Sequence, residues 1–156
     1  MKLSDHIKQD SFASPAQKAL LNVLVTHSWL TSELSATMNE HGVTLAQYNV
    51  LRILRGSHPE RLTCSEVGQR LLERTPDVTR LLNRLEREDL ISRRRAEHDG
   101  RCVEVGITPR GLDLINGMED DVRATQERLT QHLSPDEHEA LSNLLETMRT
   151  NQKVAG

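Results

Sequence analysis

Aromatic side chains are nearly missing from this chain. Phe12, Trp29 and Tyr48 are the only three in 156 residues, so an apolar interior must be built from Leu, Val and Ile. Cysteine is as scarce. Cys64 and Cys102 are too few for the disulfide frameworks that hold small secreted domains. No apolar run approaches the roughly 20 residues that cross a bilayer, and the opening MKLSDHIKQD has no apolar signal region. The expected location is the cytoplasm. The seven histidines, His6, His27, His41, His58, His98, His132 and His138, show no H-x-x-x-H spacing, and the cysteines form no C-x-x-C pair. There is no nucleophile elbow and no glycine-rich phosphate loop. The expectation is no metal, no cofactor, no catalytic residue, and hence no enzyme.

Lysine is absent from residues 61–110, where 11 Arg stand against 9 Asp and Glu. The rest of the chain holds 9 basic and 14 acidic residues. A net charge of −3 therefore hides a positive segment inside an acidic frame. Arginine, unlike lysine, offers planar bidentate contact to phosphate and guanine.

The chain divides by its punctuation. Residues 1–13 read as a frayed leader and 151–156 as a flexible tail. Ser14-Pro15 starts a helix with Leu20, Leu21, Leu24, Leu30, Leu34 and Met38 on its apolar face, and Gly42 ends it. Thr44 to Gln47 is a capping box that opens a second helix, with Tyr48, Leu51 and Leu54 facing in. Thr63 to Glu66 is another, opening a short helix that buries Val67, Leu71 and Leu72, with Leu62 stapled to Val67. Thr75-Pro76 caps a fourth helix ending near Asp89. Its Val78, Leu81, Leu82 and Leu85 form one i, i+3, i+4, i+7 stripe. The period then changes to two. Ile91 to Arg95 is a short strand; Cys102 to Ile107 alternates so that Val103, Val105 and Ile107 share a face. Asp99-Gly100 between them marks a hairpin turn. Thr108-Pro109 caps a long helix running past Met118 to Leu133, and Ser134 to Glu137 caps a last one carrying Leu141, Leu144, Leu145 and Met148.

The expected fold is mainly α with a small β-hairpin, in the order α-α-α-α-β-β-α-α. A winged helix-turn-helix over 44–107 is flanked by long helices over 14–42 and 108–150. Those flanking helices cannot close a core alone, so a symmetric homodimer is expected.

In a helix-turn-helix the second helix enters the DNA major groove. At about 100° per residue, Arg80, Asn83 and Arg87 lie opposite the apolar stripe. Arg80 suits guanine, and Asn83 suits adenine or a phosphate. Thr75 and Thr79 are candidates for phosphate contacts, with Arg84 and Arg87 tracking the backbone and Arg95 a further DNA-binding candidate. Arg101 follows the hairpin turn and suits the minor groove, where the potential is most negative. Asp99 is repelled by phosphate and is assigned to structuring the wing. Arg93, Arg94 and Arg95 alternate in direction, so not all three meet DNA. Two other readings stay open. One is a winged-helix module for protein contact without specific DNA binding. The other is a thiol redox-sensing regulator using Cys64, at a helix start that favours thiolate, although a small buried cysteine is commoner.

At these residues the chain resembles the MarR (multiple antibiotic resistance regulator) family. The pattern shows in Leu45-x-Gln47-Tyr48-x-Val50-Leu51 and in Val78-Thr79-Arg80-Leu81-Leu82-x-Arg84-Leu85-Glu86. It continues in Asp99-x-Arg101 and in Ile107-Thr108-Pro109-x-Gly111, so it covers roughly Pro15 to Met148. The resemblance implies a dimeric, ligand-responsive transcription factor, usually a repressor, on a pseudo-palindromic double-stranded operator. It also implies an effector pocket between the dimerisation helices and the DNA-binding lobe. Candidates there are His27, Trp29, His41 and Tyr48, the two aromatics suiting a small aromatic effector. The family's peroxide sensors carry a reactive cysteine in the first helix, where this chain has none.

Overall fold

A computed structural model describes residues 2–72, 77–96 and 102–150. In chain order the elements are α1 Leu3–Ile7, α2 Pro15–Glu40, α3 Leu45–Ser57, β1 Leu62–Thr63, α4 Cys64–Arg70 and α5 Val78–Arg87. They continue with β2 Ile91–Arg95, β3 Val103–Ile107, α6 Pro109–Gly117, α7 Glu119–Thr130 and α8 Pro135–Arg149. The expected winged helix-turn-helix is present, with α4 and α5 as the helix pair and β2–β3 as the wing strands.

Local chemistry accounts for most boundaries. Ser14 accepts from the Gln17 N–H, with Pro15 in the first turn of α2. Full capping boxes open α3, α4 and α8, each hydroxyl and N3 side chain satisfying otherwise orphaned N–H groups. The wing is antiparallel, registered from Ile91↔Ile107 to Arg95↔Val103. β1 adds Leu62 opposite Val105, making a three-stranded sheet in the order β1-β3-β2.

The sheet, α3, α5 and α6 close around one core. Val50, Leu51, Leu54, Val67, Leu82, Leu85, Ile91, Val105, Ile115 and Met118 are buried in it. The long helix α2 joins it at buried Met38 and docks on α7 through a polar ladder. Glu33 pairs with Arg128 at 2.9 Å, the Thr37 and Thr125 hydroxyls share a buried 2.9 Å hydrogen bond, and His41 Nε2 meets Asp121 Oδ2 at 2.9 Å.

Several expectations need correction. Residues 1–13 are not wholly frayed, since Leu3–Ile7 is a helix whose Leu3 is buried. The long helix after Thr108 is broken at Met118. Asn116-Gly117 has poor helix propensity, and Glu119, Asp120 and Asp121 supply a fresh acidic first turn that suits a helix N-terminus. The apolar spacing Ile115, Met118, Val122 continues across the break, so periodicity hides it. Leu72 is exposed rather than buried, because α4 stops at Arg70. Helix α5 starts at Val78 with Asp77 as its cap, its carboxylate accepting from the Arg80 N–H at 2.8 Å. The Thr75-Pro76 cap lies outside the described residues.

Gly111 is where the α6 backbone presses on the turn before β2. A Cβ there would collide with the Leu90 carbonyl oxygen and come within 2.8 Å of Ile107 Cγ1. Gly111→Ala should therefore lower stability by about 1–3 kcal/mol, the usual cost of overpacking. Gly117→Ala, which meets open space, should be neutral or mildly stabilising. Urea unfolding of the two variants checks the contrast; equal midpoints would refute the close approach.

Candidate nucleic-acid interface

Helix α5 has two unlike faces. Leu82 and Leu85 are fully buried, and Val78 and Leu81 are packed against the core at its edge. Thr79, Arg80, Asn83, Arg84 and Arg87 are exposed. At about 100° per residue, Arg80, Arg84 and Arg87 fall within one narrow outward stripe, with Asn83 beside it. The structure thus brings these five candidates to one surface. Thr75, Asp99 and Arg101 lie outside the described residues.

The arginines divide by what holds them. Arg61 donates to the Ser92 carbonyl at 3.1 Å and to its hydroxyl at 2.7 Å, lying against Gly106. Arg70 donates to Ser57 Oγ at 3.2 Å. Arg94 pairs with Glu104 across the wing at 3.1 Å. Arg93 turns inward: its Nε lies 3.7 Å from Glu86, and Nε and Nη2 are buried without a hydrogen-bond partner among the described residues. Arg84 has an i,i+4 pair with Glu88 at 3.2 Å, weak because both groups meet solvent. Arg80, Arg87 and Arg95 have no ion-pair partner among the described residues. On α5, Arg80 and Arg87 are thus the outward cations without an ion-pair partner among the described residues.

Sequence reasoning missed what fixes the far end of α5. Gln47 Nε2 donates to Glu88 Oε2 at 3.1 Å, while Gln47 Oε1 accepts from the Thr44 N–H at 2.8 Å. Gln47 is 1% exposed. One side chain therefore caps α3 and ties down the C-cap of α5. The capping-box signal found its first bond; the second spans 41 residues and has no local signature.

The candidate effector residues are not brought together. Trp29 lines a cavity of about 390 Å³ between α1 and α2. Tyr48 lines a separate one of about 250 Å³ between α3, α6 and α7, with Arg55 and Arg123 at its edge. His41 faces a third and is engaged by Asp121. His27 is exposed on α2. Cys64 is half-buried against the core, and Cys102 is half-buried before β3. Among the described residues no group of three His, Cys, Asp or Glu side chains could hold a metal ion.

This geometry agrees with the comparisons. A sequence profile described as the MarR family matches residues 41–101. The organic hydroperoxide resistance transcriptional regulator of Bacillus subtilis is 30% identical over 122 residues, spanning 76% of this chain and 81% of that protein. A MarR transcription factor from Planctomyces limnophilus has a crystal structure matching at TM-score 0.67 and 34% identity. That match covers 88% of this chain and 99% of that one. The chain belongs to the MarR family. A further structural match is the S. aureus MepR–DNA complex, at TM-score 0.73 and 26% identity, covering 83% of this chain and 94% of that one. No described helix of this MarR-family chain is long and apolar enough to cross a membrane.

The capping box of α4 gives a pH-dependent handle on the helix-turn-helix. The Thr63 N–H donates to Glu66 Oε2 at 2.7 Å and the Thr63 hydroxyl at 2.9 Å. These bonds, the backbone one first, hold the carboxyl below its ordinary value of 4.5. Stabilisation by Glu66 is thus fully present above about pH 4.5 and is lost as the pH falls through the lowered value. Glu66→Ala should be less stable than the parent chain near neutrality, and the gap should close in acid. Denaturant midpoints measured from pH 7 downwards test this; a gap that stays constant would exclude the carboxylate as its source.

Proposed function

We propose that this chain is a dimeric, sequence-specific DNA-binding transcriptional regulator of the repressor type, responsive to a small effector. The observation that carries the reading is the exposed stripe of α5. Arg80 and Arg87, without an ion-pair partner among the described residues, face away from a leucine face that is fully buried. In this reading α5 lies in the major groove, with Arg80 and Asn83 at base edges and Thr75, Thr79, Arg84 and Arg87 on phosphates. Arg95 and Arg101 come from the wing, which Asp99 shapes. The MepR–DNA complex supports the arrangement by shared fold, and the relatives named above are regulators rather than enzymes. No catalytic step is assigned to any residue, and the cytoplasm is the site of action.

The lobe at 44–107 is read as the DNA-binding unit, and 14–42 with 108–150 as the dimerisation region. Helix α8 buries no residue on its own chain and exposes Leu141, Leu144 and Met148; α2 exposes Leu20 and Leu24. A twofold pairing covers these faces and sets two recognition helices about 34–36 Å apart, one helical turn of duplex.

Gel shifts with DNA from upstream of the chain's own gene test the reading. Arg80→Ala should cost about 1–3 kcal/mol and relax preference at one base position. Arg87→Ala should weaken binding to all sequences and reduce the slope of log K against log salt by about one. Arg101→Ala should weaken binding and flatten the salt dependence in the same way. Unchanged affinity and slope in all three variants would favour the protein-contact module instead.

A further inference from the structure

We infer that the cleft between α1 and α2 binds a small amphipathic carboxylate, its apolar body against Trp29 and its charge at Lys2 and His6. This site is separate from the DNA-facing surface, and the inference does not rest on DNA binding.

The cleft exists because α1 is anchored by one side chain. Leu3, 8% exposed, is the only buried residue of α1, and it seats the helix on α2. The cavity enclosed is about 390 Å³, within the range of small-molecule sites. Leu3, Val25 and the Trp29 ring make its apolar wall. Trp29 remains 46% exposed, so a flat aromatic surface meets an open hollow. Such a surface gains from covering by an apolar ligand body.

Charge selects the head group. Lys2 and His6 stand on the cleft, and no acidic residue lines it among the described residues. Lys2 has no ion-pair partner among the described residues, and an ammonium supplies three donors to an anion. Lys2, Leu3 and Asn22 are shared with an adjoining cavity of about 460 Å³. There Lys18 sits 5.6 Å from the Phe12 ring centroid, and Asp10 is the one acid. A ligand with its carboxylate between Lys2 and His6 and its tail along Trp29 stays on the side that Asp10 does not line.

The cleft is not the face assigned to twofold pairing. At about 100° per residue, Trp29 lies half a turn round α2 from Leu20, and Val25 lies beside Trp29. Leu20 and Leu24 share the opposite side. A second copy covering the leucine face leaves the tryptophan face open.

Trp29 is the only tryptophan in the chain, so its emission reports on the cleft directly. The full-length protein is titrated with decanoate below its micelle range, and with decanol as the uncharged control. The expected result is a saturable emission change with decanoate and a much weaker one with decanol. A Lys2→Glu/His6→Glu double variant, altered only at exposed positions, should keep the parent circular dichroism and bind decanoate at least tenfold more weakly. Absence of a saturable change overturns the proposal. Equal binding by the double variant does so too. An emission change that follows protein dilution without ligand, with no decanoate response, would mean that a second copy fills the cleft and would also overturn it.

Discussion

Burial of one side of α5 is the constraint on which the geometry of the proposed DNA-facing surface depends. Leu82 and Leu85 are wholly buried, and each such leucine contributes about 1.5–3 kcal/mol. The exposed Arg84–Glu88 pair contributes only about 0.3–0.5 kcal/mol. Packing therefore fixes the rotation of the helix, and the charges follow. Once the leucines are seated, Arg80, Asn83 and Arg87 have nowhere to point but outward. Gln47 completes the restraint by tying Glu88, the C-cap of α5, to the start of α3.

The parts of the fold legible in the sequence are those with local causes. Capping boxes at Thr44, Thr63 and Ser134 mark three helix starts because cap and N3 residue are neighbours in sequence. The amphipathic stripe of α5 and the alternation of β3 are local in the same sense. What escaped has a distant or missing signature. The break at Met118 preserves apolar spacing. The two-residue strand β1 exists because β3 offers Val105 as a partner far along the chain. Helix α1 rests on a single leucine, too little for any periodicity to show. Arg93, by contrast, shares the inward face of Ile91 at the strand period, and its Nε lies 3.7 Å from Glu86 of α5.

The effector residues were the least legible, for a physical reason. Trp29, His41 and Tyr48 suit an effector by their chemistry but share no face. Folding sends them to three hollows: α1 against α2, the end of α2, and the seam of α3 with α6 and α7. A pocket is a property of packed surfaces from several elements, so composition ranks its candidate residues without locating them. The proposed DNA-facing stripe differs because a single helix carries it whole.

The two faces of α2 join these threads. With 26 residues it is a rod of about 39 Å at 1.5 Å per residue. Its leucine face, on the proposed reading, meets a second copy, and its other end is tied to α7 by the Glu33, Thr37 and His41 rungs. Those rungs lie toward the C-terminal end, near the winged lobe; the α1 cleft lies toward the N-terminal end. A small tilt of such a rod about the dimer contact displaces the lobe by an amount that grows with the length of the rod. Operator binding needs two recognition helices at a fixed spacing of about 34–36 Å, so displacements of a few ångströms decide whether both half-sites are met. On the proposed reading, affinity for DNA depends on the helices outside the interface as well as on the arginines within it.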